Sequence, residues 1–342
     1  MKTLRAVLRR ATASKLFWPF LALVLILLFN LAYRPSFFSI EMKDGHLFGS
    51  LIDILNRGAP LMLLAAGMTL VIATGGIDLS VGPVIAITGA VAAYLIGSDI
   101  NTTHTPFVLV ILAALGVALL AGLWNGLLVS RAGIQPIIAT LILLGAGRGL
   151  AQMITQGQIL NMYYKPFDFI GGGFLVLPFP VYIVAVVATL IWLLTRRTAV
   201  GMFIESIGIN SSSSFYSGIS EKNIKLLVYV ISGLCAGIAG LILASNIRSA
   251  DANNAGLFIE MDAILAVVIG GTSLSGGRFS LLGSMLGALI IQSLTTTILS
   301  VGVPPQVISL VKAMVVLIVS LMQSASFRTI VFGRLVKKGA VQ

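Results

Sequence analysis

The hydrophobic pattern of the chain consists of long uncharged runs separated by short segments that carry most of the charges. A helix needs about 20 apolar residues to cross the roughly 30 Å hydrocarbon core of a bilayer. The runs, in chain order, are 16–33, 58–77, 79–98, 105–130, 132–147, 169–195, 226–247, 263–277 and 279–311. The fifth is expected to continue past Arg148, and Pro304 and Pro305 divide the last, whose second half continues to about Ser326. The pattern predicts an all-α integral membrane protein, a bundle of about ten transmembrane helices.

The composition supports lipid as the solvent for this chain. Hydrophobic residues make up 58% of the 342 residues, charged residues make up 10%, and the mean hydropathy is +1.05. Soluble proteins contain roughly 45–50% apolar and about 25% charged residues. We therefore predict one transmembrane domain over 16–326, between basic tails at 1–15 and 327–342. The first run is too long for a signal-peptide core and lacks an A-x-A cleavage site, so it is interpreted as a retained helix.

The net charge of +11 is explained by the excess of Lys and Arg in cytoplasmic loops rather than by nucleic acid. If the N-terminus is inside, the inner segments carry fifteen basic residues and the outer segments carry six. This difference predicts a multi-pass inner-membrane protein with both termini in the cytoplasm.

Two glycine-rich segments share the pattern G-G-x-x-L-S-x-G, at 75–82 and 270–277. Such segments form poor helix, and non-helical backbone at membrane depth is tolerated only inside protein or beside water. Broken helices of this kind are frequent in transporters. The candidate residues are Gly75, Gly76, Asp78, Ser80, Gly82, Gly270, Gly271, Ser275 and Gly277. The match is explained equally well by chance and by an internal repeat. Both segments fall on the predicted inner side, which does not indicate an inverted repeat.

Asp78 lies in the first glycine-rich segment and has two interpretations. An acidic residue between apolar runs is a candidate ion or proton site. Alternatively, its carboxylate caps the next helix by accepting backbone N–H bonds, and this is the favoured interpretation.

Glycine pairs four residues apart also occur inside the runs. The pairs are Gly122 and Gly126, Gly145 and Gly149, Gly233 and Gly237, and Gly283 and Gly287. Small residues at this spacing allow close approach of membrane helices.

The largest predicted inner loop, 196–225, mixes apolar side chains such as Met202, Phe203 and Ile207 with polar ones. This character predicts a short interfacial helix that docks onto another protein. A solvated loop is the alternative.

Several motifs of catalysis are missing from the sequence. No G-x-x-x-x-G-K-[ST] motif for ATP hydrolysis occurs. His46 and His104 fall in predicted outer loops without metal-ligand spacing, and Cys235 has no partner for an internal disulfide. No paired carboxylates or intramembrane proton-relay residues are evident. We therefore predict no metal site, no cofactor and no enzymatic activity in this chain, with energy supplied by another subunit.

Three segments carry a family resemblance: GMTLVIATGGIDLSVG (67–82), the Ser217–Ile219 end of the inner loop, and EMDAILAVVIGGTSLSGG (260–277). Together they resemble the ribose-type sugar permeases, the membrane subunits of bacterial ATP-binding-cassette importers. The resemblance extends from about residue 50 to 325. Segments 44–60 and 247–268 look closest to the galactofuranose permeases. Ribose, xylose, arabinose, galactose and autoinducer-2 permeases share much of the scaffold.

The resemblance implies specific partners. Two permease chains, identical or paralogous, would sit on two cytoplasmic ATPases that bind ATP, and a periplasmic binding protein would deliver the sugar. The inner loop would contain the coupling helix that contacts the ATPase, with Glu205, Gly208, Asn210, Ser213 and Gly218 as candidate residues. Ser211–Ser214 replace the Ala-rich segment usual in the family, and serine is a weaker helix former.

The sequence therefore predicts a permease subunit for ATP-driven uptake of a monosaccharide. Candidate hydrogen-bonding partners for sugar hydroxyls in or near the apolar runs are Asn56, Asn125, Gln135, Asn246 and Gln292. Each is equally compatible with a role in holding helices together. Two other functions stay open, a stand-alone secondary carrier or facilitator and a membrane enzyme acting on lipid-linked sugars.

Overall fold

The computed structural model describes residues 17–43, 45–97 and 105–323. The predicted tails 1–15 and 327–342 and His104 lie outside these ranges. Within them the chain forms thirteen α-helices: α1 Phe17–Tyr33, α2 Ser50–Ala73, α3 Val81–Ile96, α4 Phe107–Ser130, α5 Pro136–Thr155, α6 Lys165–Gly171, α7 Phe179–Arg197, α8 Val200–Ile209, α9 Ser211–Tyr216, α10 Glu221–Ile247, α11 Ile259–Ile269, α12 Leu281–Ser300 and α13 Pro305–Gln323. A single 3₁₀ turn, Pro35–Phe38, follows α1 in this described part.

Six of the described helices are long and apolar enough to cross a membrane, namely α2, α4, α5, α7, α10 and α12. They confirm an α-helical membrane protein. Helices α1, α3, α11 and α13 occupy the other four predicted runs in the predicted order. The count of ten crossings stays a prediction, because α1 and α3 are shorter than a full span and α11 has only eleven residues.

Two helices have bounds that differ from the runs. Helix α2 begins at Ser50 rather than at 58, because it continues past the polar Asn56 and the exposed Arg57. Helix α11 covers Ile259–Ile269 and stops before the glycine-rich segment that the predicted run 263–277 included.

Short strands mark one end of the bundle. The antiparallel pairs are β1 Glu41–Lys43 with β2 His46–Phe48, β3 Leu160–Asn161 with β6 Ser249–Ala250, and β4 Gly173–Phe174 with β5 Leu177–Pro178. Leu160 is opposite Ala250, and Phe174 is opposite Leu177. We call this the strand end, and the opposite end, with α8 and α9, the loop end.

The core is built around α2, which is almost entirely buried and packs antiparallel to α10. A Cβ added to Gly67 would lie 3.0 Å from the Cα of Ser232, and one added to Gly76 would lie 2.7 Å from the Tyr229 hydroxyl. Residues toward the C-terminal end of α2 and just beyond it thus contact residues nearer the N-terminus of α10, so the two helices run in opposite directions. The buried apolar side chains of both helices supply much of the main cluster of the core.

Three of the four glycine pairs lie at close helix contacts, as the spacing predicted. Gly122 lies against Gly233 where α4 crosses α10, and Gly287 lies against Ala266 where α12 crosses α11. Gly145 and Gly149 of α5 face open space instead, so this stripe of α5 is unpartnered within the described residues.

The packing of α2–α5 is repeated by α10–α13. Helix α10 packs against α3 and α4, and α2 packs correspondingly against α11 and α12. In each set the short helix, α3 or α11, also packs against the two helices that follow it. Because α2 and α10 are antiparallel, the two sets run in opposite directions. The glycine-rich segment at 270–277 therefore follows α11 in its set, whereas the one at 75–82 precedes α3.

Candidate functional site at the glycine-rich breaks

The first glycine-rich segment leaves helical geometry between α2 and α3, at 74–80, and buries the Asp78 carboxylate. Asp78 is 1% exposed. Its Oδ1 accepts hydrogen bonds from the Ser80 N–H at 3.0 Å and the Ser80 hydroxyl at 2.7 Å. Its Oδ2 accepts a bond from the Ser232 hydroxyl of α10 at 2.8 Å. The Asn125 side-chain amide completes the cluster by donating to the Ser80 Oγ at 2.7 Å.

These contacts give the Asp78 carboxylate the donors that a buried charged group requires. Ser80 is the residue immediately before α3, so the bond from its N–H joins the carboxylate to the start of that helix. This bond is not the helix cap of the favoured interpretation, because the N–H of Ser80 lies before the first turn of α3. The other two donors to Asp78 are hydroxyls. No cluster of three or more metal-ligating side chains occurs in the part of the chain that the structure describes. The role of Asp78 stays a prediction.

Both glycine-rich breaks and the inner loop meet at one place. The Gly277 N–H donates to the Ala73 carbonyl at 2.9 Å, which links the second break to the end of α2. A Cβ added to Gly276 would lie 2.9 Å from the Gly208 carbonyl oxygen and 3.0 Å from the Gly75 nitrogen. At Gly208, in the last turn of α8, an added Cβ would overlap the Ala73 carbonyl oxygen and the Gly277 nitrogen. We call these five residues the break junction.

The inner loop is folded as two helices, α8 and α9. Asn210 joins them, and its side chain accepts a bond from the Ser213 N–H at 3.0 Å, which caps α9. This cap compensates for the weak helix propensity of the serines. Gly218, with φ +80°, follows the end of α9. Glu205 is half-buried in α8.

Large apolar side chains of this loop remain uncovered. Phe215 is 70% exposed and Tyr216 is 88% exposed, and Met202 and Ile209 also face outward. Apolar groups clustered on a surface mark sites of interaction. The loop therefore has the exposed apolar residues of a docking surface on one side and the break junction on the other.

The five pathway candidates are not brought into one site. Asn125 belongs to the Asp78 cluster, whereas Gln135 is exposed at the start of α5 and Asn246 is exposed near the strand end. Gln292 contacts α2 at Gly58, two residues from Asn56, whose Oδ1 is buried without a hydrogen-bond partner.

Two charged residues acquire clear structural contacts that the sequence pattern did not predict. Arg148 lies inside α5, and its Nη1 donates to the carbonyls of Ala252 at 3.0 Å and Ala255 at 2.6 Å. The Lys312 ammonium of α13 forms an ion pair with Asp262 of α11 at 2.6 Å. In both cases the available signal was a basic residue inside or beside an apolar run.

Comparison with known proteins places this architecture in a family. Residues 50–320 match the family model described as a branched-chain amino acid transport system permease component. The galactofuranose transporter permease protein of Escherichia coli K12 is 54% identical over 322 residues, which cover 92% of this chain and 93% of the relative.

More distant relatives are also sugar permeases. The fructose import permease protein of Bifidobacterium longum is 41% identical, over 92% of this chain and 89% of its own. The ribose import permease protein of E. coli K12 is 35% identical, over 89% and 92%. The relatives of this chain therefore include permeases for the import of several sugars. The family match covers the helices from α2 to α13, both breaks and the inner loop, so this multi-pass membrane protein belongs to the family of branched-chain amino acid transport system permease components.

Proposed function

We propose that the chain is the permease subunit of an ATP-binding-cassette importer that moves a monosaccharide across the bacterial inner membrane. Galactofuranose is the leading substrate, since the permease named for that sugar is 54% identical to this chain. The structural observation that supports a driven importer is the break junction, where the folded inner loop touches both helix breaks through Gly208.

The geometry supports a specific mode of coupling. An ATPase seated against α8 and α9 would displace the loop when it binds ATP. At Gly208 the backbone of α8 contacts the backbone of Ala73 and of Gly277 directly, so no flexible side chain would absorb a displacement of α8. Movement of α8 would therefore shift the end of α2 and the second break together, and through them α3 and α11. This linkage would tip the bundle between outward-open and inward-open states.

The proposal includes ten crossings and two cytoplasmic termini, as the excess of basic residues on the inner segments predicts. The loop end then faces the cytoplasm and the strand end faces the periplasm. The partners are two ATP-binding-cassette ATPases, a second permease chain, identical or paralogous, and a periplasmic sugar-binding protein. ATP would be bound by the ATPase alone, so this chain itself needs no cofactor or metal.

The test is reconstitution. We expect the chain to co-purify with an ATPase and to move a labelled monosaccharide into proteoliposomes only when that ATPase and ATP are present. Sugar movement in liposomes that contain this chain without an ATPase would refute the proposal and favour a facilitator or secondary carrier.

A further inference from the structure

The segment between β6 and α11 forms a short strap, residues 251–258, that descends from the strand end into the bundle. Gly256, with φ +65°, comes close to the backbone of Gly82 at the start of α3: an added Cβ would lie 2.8 Å from the Gly82 carbonyl oxygen. The strap therefore ends where the N-termini of the two short helices, α3 and α11, approach each other.

The strap is fixed from inside by charged groups. The Asp251 carboxylate accepts bonds from the N–H groups of Asn253 and Asn254 at 2.9 and 3.1 Å, and from the Asn254 side-chain amide at 2.7 Å. The Arg148 guanidinium of α5 holds the carbonyls of Ala252 and Ala255. Both Asp251 oxygens and the Nη1 of Arg148 thus bind the strap itself and fix its shape.

The open side of the strap presents neutral polar atoms. The Gln152 amide of α5 donates to the Asn253 Oδ1 at 2.7 Å, and the side chains of Gln152, Asn253 and Asn254 are all exposed. Among the described residues, no hydrogen bond uses the Nδ2 of Asn253, the Oδ1 of Asn254 or the Oε1 of Gln152. One free donor group and two free acceptors therefore lie side by side.

An aromatic surface lies at the lower end of the strap. Phe258 is 66% exposed and adopts φ +60°, a left-handed conformation that is costly for a bulky side chain. The open face of the strap thus combines fixed amides with an exposed aromatic ring.

We infer that the strap and Gln152 form a binding site for a neutral, hydroxyl-rich monosaccharide on its path through the permease. Sugar hydroxyls both donate and accept, as the three free amide atoms require, and the ring of Phe258 suits the C–H face of a sugar. The free atoms on the open side of the strap all belong to neutral amides, which suit the neutral hydroxyl groups of a sugar. The inference rests on the proposed function and assigns the place where the permease binds the sugar.

The test is uptake by cells that carry the complete transporter, with this chain supplied as wild type or variant and labelled galactofuranose, ribose, fructose and leucine as probes. We expect Gln152→Ala and Asn254→Ala to lower sugar uptake about three- to tenfold, the effect of one lost neutral hydrogen bond. Phe258→Leu keeps an apolar side chain but removes the ring, so it should change the ratio of uptake between pentose and hexose.

Gln158→Ala is the matched control, because Gln158 is an exposed amide just beyond α5 that does not touch the strap. A purely structural defect would lower the amount of membrane-inserted protein and reduce uptake of all sugars equally. Strap variants that keep wild-type rates and wild-type sugar ratios would overturn the strap inference and leave the proposed function intact. Wild-type cells that take up leucine but none of the sugars would overturn both.

Discussion

At the scale of single residues, two charged side chains in the apolar part of the described structure have specific partners. Asp78 is satisfied by two serines, and Lys312 by Asp262. Because the bilayer offers no water to solvate an orphaned group, the loss of either partner should be costly. Both sites yield predictions that separate structural roles from functional ones.

Asp78→Asn should keep uptake close to wild type, since a side-chain amide can still accept from Ser80 through its oxygen and can donate to Ser232. Asp78→Ala removes all three bonds and should lower the free energy of unfolding by about 1–3 kcal/mol. Thermal unfolding in detergent, together with ATP-driven uptake, measures the two effects. If Asp78→Asn abolished a dependence of transport on the pH gradient, Asp78 would be a proton site and the secondary-carrier alternative would gain support.

Lys312→Met should destabilise the protein by about 3 kcal/mol, because the Asp262 carboxylate, which is largely shielded from solvent, then has no ion-pair partner. The double variant Lys312→Met, Asp262→Leu removes both charges and should recover most of that loss. A double-mutant cycle on the unfolding free energy checks the pairing. Additive effects of the two single changes would show that the ion pair contributes nothing.

At the scale of elements, the inner loop and the breaks depend on backbone contacts that only small residues permit. Gly208→Ala should force α8 away from the ends of both breaks, at a cost of about 1–3 kcal/mol. We expect ATPase activity that no longer responds to the binding protein, together with reduced uptake. Gly116→Ala is the control, because that helical glycine has open space around it and alanine favours helix there. Normal coupling in Gly208→Ala would contradict the proposed linkage.

The α9 cap gives a gentler test of docking. Asn210→Ala removes the side-chain acceptor for the Ser213 N–H and should cost the helix about 1 kcal/mol. If α9 is formed in the complex, affinity for the ATPase should fall roughly fivefold. Asn210→Asp retains the acceptor and should restore binding. Equal affinity for all three proteins would indicate that α9 is not part of the contact.

At the scale of the whole molecule, the orientation of the bundle is the central expectation. In a Cys235→Ala background, Ser212→Cys and Gln158→Cys place one exposed thiol at the loop end and one at the strand end. A membrane-impermeant maleimide should label only the Gln158→Cys variant in intact cells. Labelling of the Ser212→Cys variant from outside would put the loop in the periplasm, where no ATPase is present.

The helical architecture was predictable because a membrane helix requires a long hydrophobic run, and the helix order follows the prediction. The backbone is non-helical at 74–80 and from Gly270 to Ser280, whereas Gly82, a predicted break residue, lies in the first turn of α3. The bounds of α2 and α11 were less predictable, because the ends of an uncharged run do not coincide with the ends of a helix. Helix α2 continues through charged residues at its start, and α11 stops at a glycine inside the run. The break junction was not predictable, because it is formed by residues from three segments far apart in the chain, through backbone contacts of Gly208 that have no sequence signal. The contacts of Arg148 likewise depend on how the strap folds back.

Helix α11 begins beside Phe258 of the strap and ends at the second break, so it joins the strap to the part of the molecule that meets the inner loop. Its eleven residues span about 16 Å. A hydrogen-bonded helix of this length is stiff and transmits an axial shift with little loss. Under the proposed function, α11 would therefore be one of two rigid helices, with α3, through which a displacement of the inner loop reaches the strap, so that ATP binding and sugar release would be coupled mechanically.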